Sequence, residues 1–380
     1  MEQKSLKNKI DACRSELYSE ICIWGCGFIA KGKGWDALQM LDIFPTCFCD
    51  NDPMMWGRTI KNGIVCRSPR ELFDRKGVLF FVLAEGEKVD DIVKQISDNT
   101  PSDVVTWDEI RFSDELVEAF YRKKAISIHD IAEQDVTGTD VSYKFPILEN
   151  PGNKRIAVYT CISGNYDAEA EHVYDTDMCD YYCVSDNPPH DGYGMKWIDL
   201  NGIIPRESLD PVRRARLCKI LGCAMFSNYE YSLYVDGSMS IKDAMYEFVR
   251  DMIGEKTWIS IYPHSRYDCL YTEGMVCVFE RMDKEEVILN QMFGYIRERM
   301  PSHYGLYETG VLFRKHDTQM KKLMEKWWNE VMNHSCRDQL SFTYCLWKCG
   351  FSKGMVAPIR GYIYGSSLVK VRNHCKTKES

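Results

Sequence analysis

The sequence lacks a long hydrophobic run, and its first ten residues are mostly polar and charged. A secretory signal peptide needs a continuous apolar segment near the N-terminus, and a membrane-spanning helix needs about 18 or more apolar residues. Because neither is present, the sequence predicts a soluble, cytoplasmic chain without a transmembrane segment. A peripheral association with a membrane stays open.

Positive charge is also in deficit, since 48 lysine and arginine residues face 56 aspartate and glutamate residues. The net charge of -8 argues against a general affinity for nucleic acid or anionic membranes, both of which attract basic proteins. Paired CxxC motifs are missing, although the chain has 17 cysteines. An odd number of cysteines, scattered through apolar segments, predicts reduced and buried thiols rather than disulfides or a structural zinc site.

The chain does have enough residues and enough hydrophobic content for two packed domains. An alternation of strand and helix patterns starts twice, near residue 20 and near residue 154. Between the two starts, Gly138, Pro146, Pro151 and Gly152 interrupt any regular pattern, as expected of a linker. The sequence therefore predicts an α/β protein with four parts: a Rossmann-like parallel-sheet domain at 1–125, a linker at 126–153, a second α/β domain at 154–374 and a tail at 375–380.

A glycine-rich turn opens the first domain, where the apolar segment 20–24 runs into Gly25-Cys-Gly27. In a Rossmann turn the first glycine allows a tight bend, the second lets the backbone approach a phosphate, and the following helix offers free amides. The next strand pattern ends at Asp50, the distance expected of an acid that binds a ribose hydroxyl. Gly25, Gly27 and Asp50 thus predict a site for NAD or another nucleotide, although the same turn also forms without a ligand.

This first segment resembles the small Rossmann-like domains of bacterial enzymes that modify sugars or build surface polysaccharides. The resemblance rests on the glycine-rich turn, on Asp50-Asn-Asp52 after the second strand, and on Ser68-Pro-Arg-Glu-Leu72. It is specific for the fold and says little about a bound ligand.

The second domain opens with two strand patterns that end in polar residues. An apolar strand through Thr160 and Ile162 runs into a glycine-containing loop, and a second strand ends at Asp186. Ligands of open α/β sheets collect outside the carboxyl ends of the strands, so we expect these residues to contact a nucleotide. Acids at strand ends are also routine turn formers, which is the alternative for Asp186.

A basic helix pattern follows the two strands. Arg213, Arg216 and Lys219 recur at three-residue spacing within the segment 211–221, which places them toward one side of a helix. Such a side would bind a diphosphate through its positive charge. A solvated helix face is the alternative, since arginines usually lie in water.

The most informative segment is 231–241, in which an apolar strand pattern ends at Asp236, Gly237 and Ser238. A buried strand that ends in a carboxylate can present an acid to a metal-bound phosphate. The alternative is a structural turn, because Asp-Gly is a common turn pair and Ser238 would cap a following helix. The preceding strands and the basic helix favour the phosphate site.

The order of these elements resembles the glycosyltransferase A-type fold, and more closely the TOD1/MUCI70 family of glycosyltransferase-like proteins. The resemblance spans residues 154–374 and rests on four segments, at 234–238, 262–273, 305–314 and 337–342. It implies a UDP- or GDP-sugar as donor and a glycan or lipid-linked acceptor, in the synthesis of surface or capsular polysaccharide.

The resemblance also implies site residues. In A-type enzymes Mn²⁺ or Mg²⁺ holds the donor diphosphate through an Asp-x-Asp motif, but here Asp236 has no second acid beside it. Another metal ligand would come from His264, Asp268 or His374, of which His374 is our choice. Further contacts are expected with the donor at His264, Arg266 and Gln339, and with the acceptor or the reacting carbon at the carboxylates Glu308 and Asp338. A helix cap is the structural alternative for Asp338.

Together these patterns predict a hexosyltransferase that moves a sugar from a nucleotide-diphosphate sugar to a hydroxyl. An NAD-dependent sugar oxidoreductase or epimerase would explain the glycine-rich turn but none of the segments after residue 154. A non-catalytic protein that binds nucleotide sugars or carbohydrates with a degenerate transferase fold is the other alternative, because the second acid is missing.

Overall fold

The computed structural model describes residues 5–127, 141–149, 152–164, 177–189, 194–242 and 244–372. The chain divides into two compact units, Met1–Glu133 and Gln134–Ser380. Each unit contains helices and a sheet with parallel strands, so the predicted α/β class is confirmed. The predicted domain boundaries stay predictions, because residues near each of them lie outside the described ranges. Within those ranges no helix is both long enough and apolar enough to cross a bilayer.

The first unit is built on one six-stranded sheet. Its helices are α1 Leu6–Arg14, α2 Phe28–Lys31, α3 Lys33–Met40, α4 Pro69–Phe73, α5 Lys88–Asn99, α6 Trp107–Ile110 and α7 Asp114–Ser127. Its strands are β1 Glu20–Trp24, β2 Cys47–Cys49, β3 Thr59–Lys61, β4 Ile64–Arg67, β5 Val78–Val82 and β6 Asp103–Thr106. The strand order is β3-β4-β2-β1-β5-β6, parallel except for the antiparallel β3–β4 pair. Strands β1 and β5 are buried along their whole length, as their continuous apolar sequences predict.

The second unit is built on a seven-stranded sheet and a small ribbon. Its helices are α8 Leu200–Ile203, α9 Pro211–Met225, α10 Met245–Gly254, α11 Leu270–Phe279, α12 Glu285–Arg297, α13 Thr318–Asn333 and α14 Gln339–Lys348. Its strands are β7 Ile156–Ile162, β8 Cys179–Ser185, β9 Lys196–Asp199, β10 Tyr231–Val235, β11 Met239–Ile241, β12 Ile259–Pro263, β13 Tyr307–Lys315, β14 Ala357–Pro358 and β15 Val369–Val371. Short 3-10 turns span Pro53–Met55 in the first unit and Lys353–Met355 in the second. Every described cysteine is free, and all but Cys336 and Cys349 are buried.

The large sheet has the order β14-β12-β13-β10-β7-β8-β9. Strands β10, β7, β8 and β9 are mutually parallel, whereas β13 runs antiparallel between β10 and β12. The beginning of β13 therefore lies beside the carboxyl end of β10, where the N–H of Asp236 donates to the carbonyl of Gly310 at 2.8 Å. A register shift follows on the other side of β13, since Ile261 pairs with Leu312 but Tyr262 pairs with Glu308. This edge brings the ends of several elements together.

Helix α9 packs on the sheet around a glycine. Asp210 caps its first turn by accepting from the N–H of Arg213, and Pro211 occupies the first helical position. At Gly222 the helix comes so close to β7 that a Cβ would lie 2.0 Å from the Tyr159 hydroxyl oxygen and 3.1 Å from Arg314 Nη2. Both side chains are buried and bonded to carbonyls of α9, so neither can move away freely.

We therefore expect Gly222→Ala to destabilise the second unit by about 1–3 kcal/mol or more, the usual cost of overpacking. Gly294 provides a matched control, because it lies inside α12 with nothing within 4 Å of the position that a Cβ would occupy. There the same change removes backbone freedom without a clash and should stabilise the helix by about 0.5–1 kcal/mol. Urea denaturation of the two variants measures both effects. Equal stability of the two variants would contradict the close approach at Gly222.

Candidate functional site

Two basic residues of α9 meet an acid at the start of α14. Arg216 and Lys219 lie about one turn apart, and both contact the carboxylate of Asp338. Arg216 Nε lies 3.1 Å from Oδ1, and Lys219 Nζ lies 2.5 Å from Oδ2. Thr309 of β13 donates its hydroxyl to Oδ2 at 3.0 Å and accepts from Lys219 Nζ at 3.0 Å. Arg216, Lys219, Thr309 and Asp338 are called the cationic cluster below.

Burial and charge act against each other in the cationic cluster. Burial lowers the pKa of Lys219 to about 8, although the charge of Asp338 opposes that effect. Burial alone would raise the pKa of Asp338, but Arg216 and Lys219 hold this pKa well below its usual range. Asp338 is therefore an anion near neutral pH, with Arg216 beside Oδ1 and with Lys219 and Thr309 at Oδ2. Such a carboxylate anchors two cations and is poorly placed to accept a proton.

The helix-cap alternative for Asp338 is not realised in the described structure. Asp338 occupies the N-cap position of α14 with helical backbone angles, and its side chain makes no capping hydrogen bond there. The carboxylate points instead to α9, while the Asp338 carbonyl accepts from the indole N–H of the buried Trp327 at 2.9 Å. The side chain of Asp338 thus contacts the cationic residues, and its backbone carbonyl is held by Trp327 of α13.

Asp236 follows β10 directly, as the sequence pattern predicts. It is partly exposed, and its charge opposes the lowering effect of burial on the pKa of both Arg216 and Lys219, so it lies within electrostatic range of the cationic cluster. Residues 236–239 form a turn, because the carbonyl of Asp236 accepts from the N–H of Met239 at 2.9 Å. Strand β11 follows that turn, and no helix begins at Ser238.

The turn after β10 is held from the end of the described chain. Arg372 donates from Nη2 to the carbonyl of Gly237 and from its N–H to the carbonyl of Ser238, both at 2.8 Å. The pairing of β11 with β15 continues this connection. Gly237 and Ser238 therefore position Asp236 through their backbone.

Of the two metal ligands predicted from the sequence, only Asp236 lies among the described residues. Among them, no three or more histidine, cysteine, aspartate or glutamate side chains come together in a way that could hold an ion. His374, the second ligand expected from the sequence, lies outside the described residues. Asp236 alone, beside two cationic side chains, is a weak ligand set for a divalent cation, which takes six or more oxygens. Binding of Mn²⁺ or Mg²⁺ at Asp236 and His374 stays a prediction, and no step below depends on it.

A second group of side chains carries two buried acids, Glu273 of α11 and Glu308 of β13. Glu273 accepts from the Tyr267 hydroxyl at 2.6 Å and from Gln339 Nε2 at 3.2 Å. Glu308 is 8% exposed, and its Oε2 has no hydrogen-bond partner among the described residues. Burial, together with the charge of Glu273, raises the pKa of Glu308, while hydrogen bonds from Ser265 oppose the rise. Glu273 and Glu308 are called the acidic pair.

Consecutive residues connect the two groups. On β13, Glu308 belongs to the acidic pair and Thr309 to the cationic cluster, as expected where neighbouring residues of a strand point to opposite sides. On α14, Asp338 belongs to the cationic cluster and Gln339 bonds to Glu273. The cationic cluster and a group with an unpaired carboxylate oxygen therefore share two elements, β13 and α14.

The region that carries both groups is similar to a known family. Residues 205–359 match the family model of the TOD1/MUCI70, glycosyltransferase-like domain. The match covers the four segments that carry the resemblance, and with them both the cationic cluster and the acidic pair. The resemblance to the TOD1/MUCI70 family is thus confirmed for this region.

Among solved structures, the chain is similar to WbbM, a bifunctional glycosyltransferase in its apo form, at 12% identity and a TM-score of 0.34. The similarity covers 72% of this chain and 51% of that one, so the chain spans about half the length of that structure. No match was found among curated proteins.

Within the TOD1/MUCI70-like region, the structure separates Arg213 from the other two basic residues of α9. Arg213 pairs with Asp210 and donates to the carbonyls of Val331 and His334, at the end of α13. Side chains three residues apart differ by about 60° around a helix, so Arg213 and Lys219, which are two such steps apart, differ by about 120°. A donor contact by Arg213 stays a prediction.

Asp186 lies at the end of β8, where it is paired with a residue that the sequence analysis missed. Arg214, 2% exposed, lies 2.7 Å from Asp186 Oδ1, and the N–H of Gly164 donates to Oδ2 at 2.6 Å. These contacts lower the pKa of Asp186 although burial opposes the shift. Arg214 directly follows Arg213 in the sequence of α9. The only sequence signal that separates the two arginines is the helical period, which places Arg214 on the side of α9 that faces the sheet.

Four further predicted donor residues lie at or near strand ends. Thr160 and Ile162 are buried in the last part of β7, and Thr160 Oγ1 has no hydrogen-bond partner among the described residues. The His264 ring lies against the Tyr267 ring at a tilt of 39°, with centroids 4.2 Å apart, and burial lowers the pKa of His264. Arg266 is exposed two residues later. Their contacts with a donor stay predictions.

The glycine-rich turn of the first unit has the geometry that its sequence predicts. Gly25 adopts a φ of 106°, which favours glycine, and nothing lies within 4 Å of a Cβ position at Gly27. The carboxylate of Asp50 accepts from the N–H of Cys26 at 2.9 Å. The Asp50 carboxylate thus already accepts from one of the turn amides to which a phosphate would bind. Binding of NAD or another nucleotide there stays a prediction.

Proposed function

We propose that the chain is a glycosyltransferase that moves a sugar from a nucleotide-diphosphate sugar to an acceptor hydroxyl. The observation that carries the proposal is the cationic cluster beside Asp236 within the TOD1/MUCI70-like region. Breaking the bond between the sugar and the diphosphate places negative charge on the leaving diphosphate. Fixed positive groups stabilise such developing charge, because they need no reorganisation during the reaction.

Arg216 is the member of the cationic cluster that we expect to contact the diphosphate. Its side chain is 18% exposed, whereas Lys219 is 1% exposed and Asp338 about 5%. A guanidinium donates several hydrogen bonds in a fixed plane and suits phosphate oxygens. Lys219, which is more deeply buried, would add positive charge behind Arg216. Asp338 would hold both side chains in place before the donor binds.

Glu308 is our choice for the general base. An acceptor hydroxyl would give its proton to Glu308 as its oxygen attacks the first carbon of the sugar, and the bond from that carbon to the diphosphate would break. The unpaired Oε2 offers a free acceptor site, and burial makes the carboxylate a better base than an exposed glutamate. Asp338, with a cation beside each oxygen, would act by positioning the cations.

The finer assignments belong to the same proposal. We propose a UDP- or GDP-sugar as donor, with a glycan or lipid-linked acceptor in the synthesis of surface or capsular polysaccharide, in the cytoplasm. Thr160, Ile162, Asp186, His264, Arg266 and Gln339 are the proposed further contacts to the donor. A protein that binds nucleotide sugars without catalysis is the second candidate, because Asp236 stands without a second acid.

Nucleotide-sugar binding tests this proposal directly. We expect one UDP- or GDP-sugar to raise the melting temperature of the full chain, since a ligand of the native state at 100 times its Kd adds about 2.7 kcal/mol of stability. Arg216→Gln should remove most of that ligand-induced shift. Arg250→Gln is the control, because Arg250 lies on α10 with a mostly exposed side chain, 3.8 Å from Asp251.

Different outcomes separate the candidates. Stabilisation with hydrolysis or transfer of the sugar supports the transferase, whereas stabilisation without any turnover, with or without Mn²⁺, favours the binding protein. Stabilisation by NAD alone would favour the oxidoreductase hypothesis. A shift lost in Arg250→Gln but kept in Arg216→Gln would contradict the role given to the cationic cluster.

A further inference from the structure

A loop next to Glu308 exposes two tyrosines. Tyr362 is 53% exposed and Tyr364 is 72% exposed, while Ile363 between them is 4% exposed. Gly361 and Gly365 flank the three residues with φ angles of 80° and 90°, a region that side chains with a Cβ rarely adopt. The segment 361–365 is called the tyrosine loop.

The tyrosine loop is anchored to the site through Ile363. The backbone of Ile363 hydrogen-bonds to the Glu308 carboxylate, and its Cδ1 would lie 3.1 Å from a Cβ at Gly310. Ile363 also packs in the core cluster that contains Tyr262 and Val311. Next along the chain, Ser366 bonds to the Tyr262 hydroxyl. The loop is therefore fixed against the beginning of β13, at the proposed base.

The two exposed rings are not needed for this anchoring. Single exposed hydrophobic residues are common and do not indicate a binding site. Here, however, two aromatic rings lie on either side of the buried Ile363, in a loop that contacts the proposed base, and together they form a local surface. Tyrosine offers a flat apolar face with a hydroxyl at its edge, and its side chain loses little freedom on binding. The C–H face of a pyranose ring and its outer hydroxyls match that combination.

We propose that the tyrosine loop binds sugar rings of the acceptor, so that the acceptor is a glycan of several sugars. This inference rests on the proposed function, because it places the acceptor beside Glu308. The donor diphosphate is anionic and suits Arg216 in the cationic cluster, whereas the tyrosine rings are neutral and suit an uncharged sugar. Stacked sugars on Tyr362 and Tyr364 would hold the terminal hydroxyl near Glu308 Oε2.

The test uses the full chain on an array of defined oligosaccharides, including cellohexaose, laminarihexaose, chitohexaose and mannohexaose. We expect the parent to bind at least one of them and Tyr362→Ala/Tyr364→Ala to bind it about tenfold more weakly or worse, as the loss of two ring contacts implies. Tyr246→Ala is the matched control, since Tyr246 is 46% exposed on α10. It should leave oligosaccharide binding unchanged.

Stabilisation by UDP- and GDP-sugars is measured on the same variants and reports on the proposed function separately. Unchanged donor stabilisation with lost oligosaccharide binding supports the inference. Equal oligosaccharide binding by parent and double variant, or no binding of any oligosaccharide by the parent, overturns it while the transferase proposal stands. Loss of donor stabilisation in the double variant would assign the loop to the nucleotide and also overturn it. If no nucleotide sugar binds but the tyrosines are needed for oligosaccharide binding, the proposed function fails and the sugar-binding surface remains.

Discussion

Replacing Asp338 with asparagine is expected to lower the free energy of unfolding of the second unit by about 3–5 kcal/mol. The substitution keeps the size of the side chain but leaves Arg216 and Lys219 together without the carboxylate that neutralises them. Removing one partner of a buried ion pair is costly, because the remaining charge is cut off from water. Urea unfolding, monitored by the hydrogen exchange of peptides from β10 and β13, measures the loss of stability.

The difference between parent and Asp338→Asn should shrink in acid. Because the folded-state pKa of Asp338 is held below its unfolded value, its stabilising contribution is complete above an unfolded pKa of about 3.9 and is lost as the pH falls toward the folded-state pKa. The control is Glu325→Gln, since Glu325 lies 3.9 Å from Lys321 with both side chains mostly exposed. That change should cost no more than about 1 kcal/mol. A similarly small loss for Asp338→Asn would refute its role as the anchor of the cationic cluster.

Replacing Glu308 with glutamine is expected to lower kcat for sugar transfer by about 10²–10⁴-fold, the usual contribution of a general base. Glutamine keeps the shape of the side chain but cannot take a proton from the acceptor. Binding of the donor should persist, because the hydrogen bonds from β13 to the cationic cluster come from Thr309 and not from Glu308. Transfer rates and donor-induced shifts in melting temperature, measured on the same preparation, separate the two effects.

The pH profile identifies the group that is responsible. Burial raises the pKa of Glu308, so the rate of the parent should rise with pH above the range usual for a glutamate, as Glu308 loses its proton. Glu308→Gln should lack that rise, and Glu325→Gln should retain it. A glutamine variant with full activity and an unchanged profile would exclude Glu308 as the base.

The sequence predicted the elements better than it predicted the contacts between them. Continuous apolar runs located β1, β7 and β10, because a strand buried on both faces needs an apolar side chain at nearly every position. The run of β10 also identified Asp236, because the apolar sequence stops at this acid. The spacing of arginines on α9 did not reveal which of them faces Asp338, since that depends on how α9 and α14 pack.

Two residues of the site carried a signal too weak to select them. Glu273 is a single acid in the apolar sequence of α11, an unusual place for a charge, and that alone could have indicated a buried partner. Thr309 is an ordinary strand residue, and only the folded structure shows that its hydroxyl joins Lys219 to Asp338. Lys219 and Thr309 are 90 residues apart in the chain, so their contact leaves no local pattern in the sequence.

The alternation of Glu308 and Thr309 along β13 limits how this region can diverge. Side chains of a strand have a period of two, so the insertion or deletion of one residue before Gly310 would exchange the sides on which the two residues lie. Such a change would remove the threonine from Lys219 and the glutamate from the tyrosine loop in a single step. Relatives with a different specificity are therefore expected to differ here by substitution, and to differ in length only in the surface loops.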